Sequence, residues 1–281
     1  MSARFEGWYY KHHANGKSLA LIPGRAVDHA FVQIVTNERT HYVNYPLSAY
    51  HPGDILRVGN STFSRFGIRV DIDHPDVKLS GEVRYRNLTP IRGDIMGPFR
   101  WFPMECRHGI ISMDHSLEGA LTLDGIRIDL SGGRGYIESD SGSSFPKGYT
   151  WVQCNDFDAN CSITAAVARI PFYGLRFWGH ICVVWLDGVE YRLATYNGGK
   201  VIRTGPGIIE LKRGNYQLSV TVDDFDGLHL SAPRFGEMSH SIRETLSCPA
   251  HFRFTEGSRV LFDRESEHAS YEYEMVEPLS R

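Results

Sequence analysis

The chain has 281 residues, of which 42% are hydrophobic and 22% charged, and its net charge is −3. This composition supports a packed core and argues against intrinsic disorder. Lysine and arginine are spread along the chain rather than clustered, so no nucleic-acid partner is expected. No apolar run reaches the roughly 18 residues that a membrane span needs, and no secretory signal pattern is present, so we predict a cytoplasmic protein.

Cysteine usage points to the same compartment. The cysteines are odd in number and none belongs to a Cys-x-x-Cys pair, so we expect free thiols in a reducing environment. They are Cys106, Cys154, Cys161, Cys182 and Cys248.

Short runs of alternating apolar and polar residues, broken by Gly, Asn, Asp and Pro, predict an all-β fold. The predicted strands, in chain order, include residues 30–35, 68–72, 77–83, 109–113, 165–170, 251–254, 259–263 and 269–274. Asp124-Gly125 and Asp187-Gly188 each separate two alternating runs, which predicts two type I′ hairpins.

One such hairpin falls on each side of the middle of the chain, and this weak repeat indicates two similar β halves. No long Ser/Gly-rich or Pro-rich linker separates the halves, so we expect them to pack together. We place the boundary near Lys147, which gives domains of residues 1–147 and 148–281. The one helix candidate, Met238 to Leu246, lies in the second domain.

The middle of the chain holds the densest set of candidate functional side chains. In an extended run Tyr136, Glu138 and Asp140 share one face, because side chains alternate along a strand. Two carboxylates on one face raise each other's proton affinity, so one of them could stay protonated and act as an acid. Alternatively they are exposed, or Glu138 pairs with Arg134 or Arg107.

A second extended run follows, in which Tyr149, Trp151, Gln153 and Asn155 share a face. Aromatic rings can stabilise a carbocation or stack on a substrate, and buried amides can bind a phenol or quinone oxygen. Ordinary core packing and structural hydrogen bonds are the alternatives. These side chains would join the acids if the two runs pair or line one cavity.

These motifs resemble those of the tocopherol cyclase family. Residues 135–155 resemble the family's central motif, with Gly-Tyr-x-Glu followed by Phe-Pro and then Trp-Val-Gln-Cys-Asn, and Phe-Glu-Gly-Trp at residues 5–8 is similar to its opening motif. Residues 56–63 and 270–273 follow in the expected order, so the resemblance covers nearly the whole chain. Where family cyclases usually carry Asn-Trp-Gly, this chain has Asp-Ser-Gly at residues 140–142.

The resemblance implies two tandem lipocalin-like antiparallel β-barrels and an acid-catalysed cyclisation, in which a phenol adds to a protonated alkene of the same ligand. It implies a small apolar or prenylated aromatic ligand, no cofactor, and Glu138 and Asp140 as candidate acids. Two other functions stay open: a lipocalin-like protein that binds an apolar ligand without turnover, and a hydratase or cycloaddition catalyst of the related two-barrel enzymes. Peripheral contact with a membrane and the oligomeric state also stay open.

The N-terminal aromatic run supplies a second set of candidate ligand-binding residues. In an extended run Glu6, Trp8 and Tyr10 share one face. Glu6 beside Trp8 would then be a carboxylate in an apolar setting and a further candidate acid. The alternative is an ion pair between Glu6 and an arginine.

A third cluster contains two histidines. His108 and His115 could accept the phenol proton, since an unperturbed imidazole has a pKa of about 6.5. Both could instead be structural. Glu105, Cys106 and Asp114 nearby are also metal-ligand types, but the spacing matches no standard motif, so we predict no metal site.

Overall fold

The computed structural model of the protein describes residues 4–172, 175–223 and 225–274. Almost all regular structure in these residues is β-strand, which confirms the all-β prediction. The helical segments among them are short 3-10 helices at Leu47–Ala49, Gly97–Trp101 and Thr195–Asn197. None of the helices in the described ranges is long and apolar enough to cross a membrane.

The first sheet has 12 strands in the described part of the chain, and neighbouring strands are antiparallel. The strands are β1 (Phe5–Ala14), β2 (Lys17–Arg25), β3 (Ala30–Thr36), β4 (Thr40–Tyr45), β5 (Tyr50–His51), β6 (Ile55–Val58), β7 (Ser61–Ser64), β8 (Gly67–His74), β9 (Val77–Arg86), β10 (Cys106–Leu123), β11 (Ile126–Asp129) and β12 (Arg134–Gly142). Their order in the sheet is β4-β3-β2-β1-β12-β10-β9-β8-β7-β6-β5, and β11 pairs with β10. Strand β12 therefore lies between β1 and β10.

The second sheet has 10 strands among the residues described. They are β13 (Tyr149–Cys154), β14 (Cys161–Phe172), β15 (Leu175–Leu186), β16 (Val189–Arg192), β17 (Lys200–Gly205), β18 (Ile208–Arg213), β19 (Tyr216–Val222), β20 (Leu228–Arg234), β21 (Glu237–Glu256) and β22 (Arg259–Glu274). Their order is β16-β15-β14-β13-β22-β21-β19-β18-β17, and β20 pairs with β21. Because β13 pairs with β14 and β22, the two runs from the middle of the chain do not pair with each other.

The chain divides into two compact units. The first consists of Met1–Ile91, Glu105–Phe145 and Leu230–Ser241, and the second of Arg92–Met104, Pro146–His229 and Ile242–Arg281. Strands β12 and β13 therefore belong to different units. A single boundary near Lys147 does not describe two segments: Arg92–Met104, which belongs to the second unit, and Leu230–Ser241, which belongs to the first.

Both predicted hairpin turns are confirmed. Asp124 and Gly125 have φ values of 49° and 82°, and Asp187 and Gly188 have 49° and 81°. Positive φ at both central residues defines the type I′ turn, whose twist matches that of the flanking strands.

The predicted helix at Met238 to Leu246 is wrong, because these residues lie inside strand β21. Ile242, Glu244 and Leu246 are buried, and Arg243 between them is exposed. This is the period of two that a strand requires, and it overrides the local helix preference of Met, Glu and Leu.

The core of the first unit lies on one face of its sheet. Tyr10 and Ile137 belong to this core, and Trp8 packs against it. Because side chains alternate along β12, Tyr136 and Glu138 point to the opposite face from Ile137. The face of β12 that carries the candidate acids is therefore turned away from the core of its own unit.

The cysteines of the chain are free, as predicted. Cys154, Cys161, Cys182 and Cys248 are buried in the core of the second unit, where they act as small apolar side chains. Cys106 lies elsewhere, at the start of β10.

Candidate functional site

The first candidate site is built on β12 and the adjoining end of β10. Tyr136, Glu138 and Asp140 share the face of β12 that is turned away from the unit's core. In the β10–β12 pairing His108 lies directly opposite Asp140, and Ile110 lies opposite Glu138. The register therefore brings one imidazole to the two carboxylates.

These side chains form a continuous chain of polar contacts. The hydroxyl of Tyr136 donates a hydrogen bond of 2.6 Å to Oε2 of Glu138. Nε2 of His108 lies 3.5 Å from the same oxygen, and its Nδ1 lies 3.0 Å from Oδ1 of Asp140. We call this set, Tyr136, Glu138, His108 and Asp140, the acid–imidazole cluster.

The cluster can store and move a proton. An imidazole donates from both ring nitrogens only when it is protonated, and each nitrogen of His108 faces a carboxylate. The three groups are therefore placed to exchange a proton through the imidazole ring. Their side chains are only 14% exposed at His108, 8% at Glu138 and 21% at Asp140, so their mutual interactions are stronger than in water.

Two residues of β1 complete this face. Tyr9 pairs with Glu138 and Lys11 pairs with Tyr136, and both side chains are almost fully buried. Lys11 is therefore a diagonal neighbour of Glu138 across the strand pair. Local sequence pattern gave no reason to place Lys11 beside the candidate acids.

Cys106 is a further member of this group, and no local sequence pattern placed it with the acids. Its Sγ donates to Oδ1 of Asp140 at 3.5 Å. Burial and the neighbouring Asp140 carboxylate raise the pKa of the Cys106 thiol well above its usual range. Cys106 is therefore a neutral hydrogen-bond donor and not a nucleophile. Its spacing of two residues from His108 on one strand could have revealed the shared face.

The same side chains could in principle hold a metal ion. One ligand atom each from His108, Glu138 and Asp140 lies within 4.8 Å of the others. Both ring nitrogens of His108 already face carboxylate oxygens, so a shared proton accounts for the geometry without an ion. The sequence prediction of no metal site stays a prediction.

Glu6 and Trp8 lie on the other face of β1, and the ion-pair alternative holds for Glu6. Its Oε1 accepts a 2.7 Å hydrogen bond from Arg25, and its Oε2 accepts a 3.0 Å bond from the hydroxyl of Tyr50. With a side chain 30% exposed and an arginine partner, Glu6 is not a carboxylate in an apolar setting. Trp8 packs against the core of the unit.

His115 also lies apart from the carboxylates. Its ring centroid is 4.4 Å from that of Tyr85 inside the core, and Nδ1 lies 3.3 Å from Oγ of Ser112. Burial, and then the neighbouring His12, lower the pKa of His115 to about 3, so its ring is neutral. A Cβ atom at Gly135 would lie 2.2 Å from Nε2 of His115, so this position leaves room only for glycine.

The second candidate run belongs to the second unit. Tyr149, Trp151, Gln153 and Asn155 are all buried. The hydroxyl of Tyr149 donates a 2.6 Å hydrogen bond to Oε2 of Glu272. No local sequence pattern singled out this carboxylate on β22. The alternation along β13 is as predicted, since Val152 and Cys154 face the core of the unit.

No model of a known protein family matches this sequence, and no curated protein matches it either. Solved structures do match. An AttH-like protein from Nitrosomonas europaea has a TM-score of 0.56 at 14% identity, covering 98% of this chain and 93% of that chain. Kievitone hydratase from Nectria haematococca has a TM-score of 0.56 at 13% identity, covering 96% and 89%. CghA has a TM-score of 0.58 at 9% identity, covering 98% and 88%.

At these identities the likeness concerns the fold alone. The matching structures are lipocalin-like two-barrel proteins, and they extend over almost all of this chain. The predicted fold class is thereby confirmed. The chain has the fold of the lipocalin-like two-barrel proteins.

Proposed function

We propose that this protein is a tocopherol cyclase-like enzyme, which protonates a carbon–carbon double bond of a prenylated aromatic or other apolar ligand and closes a ring onto it. The observation that carries the proposal is the acid–imidazole cluster, in which His108 lies between Glu138 and Asp140. Enzymes that protonate alkenes need an acid in a poorly hydrated site, and the low exposure of this cluster fits that need.

The proposed reaction returns the cluster to its starting state. Glu138 transfers a proton to the alkene carbon and leaves a tertiary carbocation. The phenol oxygen of the same ligand then bonds to the cation, and the phenol proton passes to Glu138 or His108. No atom is gained or lost, so the product is an isomer of the substrate.

The surroundings of Glu138 fit such a cation. The rings of Tyr9 and Tyr136 are neighbours of Glu138 on the same face. An aromatic ring stabilises a nearby cation by about 0.5–2 kcal/mol, with the larger value in dry sites. His108 can relay the returning proton, because its two ring nitrogens face the carboxylates of Glu138 and Asp140.

Hydration is the second candidate function. One of the similar structures is named a hydratase, and the same cluster could protonate the alkene and then deliver water in place of the phenol. A protein that binds an apolar ligand without turnover, or a cycloaddition catalyst, would not need the proton at all. The mass of the product separates cyclisation from hydration, and the absence of any product indicates a carrier.

The test uses the purified protein with a prenylated hydroquinone. Cyclisation gives a product of unchanged mass in H₂¹⁸O, whereas hydration adds one labelled oxygen. Glu138→Gln should lower turnover by at least about 100-fold, the usual contribution of a general acid, while quenching of tryptophan fluorescence still reports binding. Glu118→Gln, at a carboxylate that is 62% exposed, is the matched control and should keep full activity.

Two results would overturn the proposal. Normal turnover by the Glu138→Gln variant would show that Glu138 is not the acid. Saturable binding of several prenylated ligands by the unmodified protein without any product would favour the carrier function.

A further inference from the structure

The exposed apolar side chains of the first unit are unevenly placed. Those of the described residues that are large and at least about one-third exposed are Val27 (37%), Leu47 (40%), Ile55 (64%), Phe66 (63%), Ile126 (65%) and Phe235 (64%). Single exposed apolar residues are common on proteins and need no explanation. A collection of exposed apolar residues at one end of a barrel does need an explanation.

Phe235 and Val27 lie at the end of the barrel where β1 begins. Phe5 at the start of β1 pairs with Gly142 at the end of β12. The turn that carries Phe235 continues into Gly236, whose N–H donates to the carbonyl of Ser143 at 2.6 Å and whose carbonyl accepts from the N–H of Val27 at 3.0 Å. These bonds fix the Phe235 turn beside the start of β1.

Phe66 lies at the same end, as the strand directions require. Each step from β1 through β12, β10 and β9 to β8 is antiparallel, so β8 runs in the same direction as β1. The turn before β8, which carries Phe66, therefore lies at the end where β1 begins. Ile55 lies beside this turn, because it pairs with Ser64 just before it.

Ile126 lies at the opposite end. Strand β10 begins opposite Gly142 and so runs in the direction of β1, and its last residue is Leu123. The turn that leads to Ile126 follows that residue. The side chain of Ile126 is about as exposed as those of Phe66 and Phe235, so this position is an internal control.

At the end where β1 begins, each of the two exposed rings follows an arginine in the sequence, and the side chain of that arginine lies over the ring. The guanidinium carbon of Arg65 is 4.8 Å from the ring centroid of Phe66, and that of Arg234 is 6.0 Å from the ring centroid of Phe235. Phenylalanine and aliphatic side chains can be buried at the boundary between lipid headgroups and acyl chains, and a guanidinium group pairs with phosphate. Separate tips of this kind suit a lipid surface better than a protein partner, which needs one continuous patch.

We infer that this end of the first barrel, with Val27, Ile55, Phe66 and Phe235 at its tips, is a docking surface for a phospholipid bilayer. The rings and aliphatic side chains would enter the headgroup region, and Arg65 and Arg234 would bind lipid phosphates. The inference does not depend on the proposed reaction. The sequence left open whether the protein contacts a membrane. The inference assigns such a contact to a defined end of one barrel.

Sedimentation with vesicles of phosphatidylcholine and phosphatidylglycerol tests the inference. The double variant Phe66→Ser/Phe235→Asn should lower the partition coefficient at least about tenfold, because each buried ring contributes through its apolar area. Asparagine suits position 235, where φ is 55°. The control Ile126→Ser should partition like the unmodified protein.

Absence of vesicle binding by the unmodified protein would overturn the inference, as would an equal loss in Ile126→Ser. Placing tryptophan at position 66 gives a second readout: brominated lipids should quench Phe66→Trp more than Ile126→Trp. Equal quenching at the two positions would also overturn it. These outcomes are separate from those of the reaction, because they are measured without turnover.

Discussion

Strand β10 carries two histidines whose surroundings are opposite. His108 lies on the sheet face turned away from the unit's core, and each of its ring nitrogens faces a carboxylate. His115 lies within the core against Tyr85, and burial lowers its pKa to about 3. One side-chain type on one strand is thus placed to share protons on one face and kept neutral on the other. The side of the sheet, and not the residue, decides which chemistry is available.

The largest effect is expected when His108 of the acid–imidazole cluster is replaced, and it tests whether the two histidines differ. His108→Asn should lower turnover about 100- to 10,000-fold, because it removes the group that shares protons with both acids. His115→Asn should change turnover only a few-fold and should instead lower the melting temperature, since it disturbs a packed core. Steady-state kinetics and thermal unfolding on both variants measure the contrast. Equal losses of activity would show that the two histidines do not differ as described.

A second prediction concerns the packing of His115. Gly135→Ala should lower the free energy of unfolding by about 1–3 kcal/mol, because its Cβ would lie 2.2 Å from Nε2 of His115. Gly7→Ala in the same sheet is the control, since its Cβ would meet its nearest atom at 3.9 Å. Urea titrations measure both values. A Gly135→Ala variant as stable as Gly7→Ala would mean that the ring moves aside without cost.

A third prediction is a loss of stability in acid. Burial lowers the pKa of His12 to about 4 and that of His115 to about 3. The unfolded chain, with histidine pKa values near 6.5, therefore binds more protons than the folded one below that pH. The contribution of the neutral rings is complete above about pH 6.5 and is lost as the pH falls towards 4, at up to about 1.4 kcal/mol per pH unit for each ring.

Melting temperatures between pH 4 and 8 check this dependence. His115→Gln should flatten the curve below pH 6.5, because the side chain that must be protonated is gone. A slope that stays the same in His115→Gln would contradict the prediction.

The smallest effect is expected at Cys106. Cys106→Ala removes the donor to Asp140 and should lower turnover only a few-fold, and Cys106→Ser should restore it, because a hydroxyl can donate to the same oxygen. The raised pKa of this thiol also predicts slow alkylation by iodoacetamide at pH 8. Mass spectrometry of the labelled protein measures that rate, and rapid labelling at Cys106 would mean that the thiolate forms readily.

Some parts of the site followed from local pattern. The shared face of Tyr136, Glu138 and Asp140 was predictable because alternation along a strand depends on neighbouring residues alone. The turns at Asp124 and Asp187 were predictable for the same reason, since both need positive φ within two residues. The strand at 242–246 carried a period of two as well, but helix-forming residues at Met238 and Leu246 concealed it.

The sequence by itself therefore determined the all-β class, the hairpin turns and the face on which the two acids lie. Only the tertiary structure decided that His108 joins Asp140 and that Arg25 pairs with Glu6. Those contacts depend on strand order and register. Strands β10 and β12 pair over a long separation in the chain, and their register shifts twice, between Ile110 and Ser112 and between Ser112 and His115. A shift of one residue would turn His108 to the other face, and no local propensity encodes that choice.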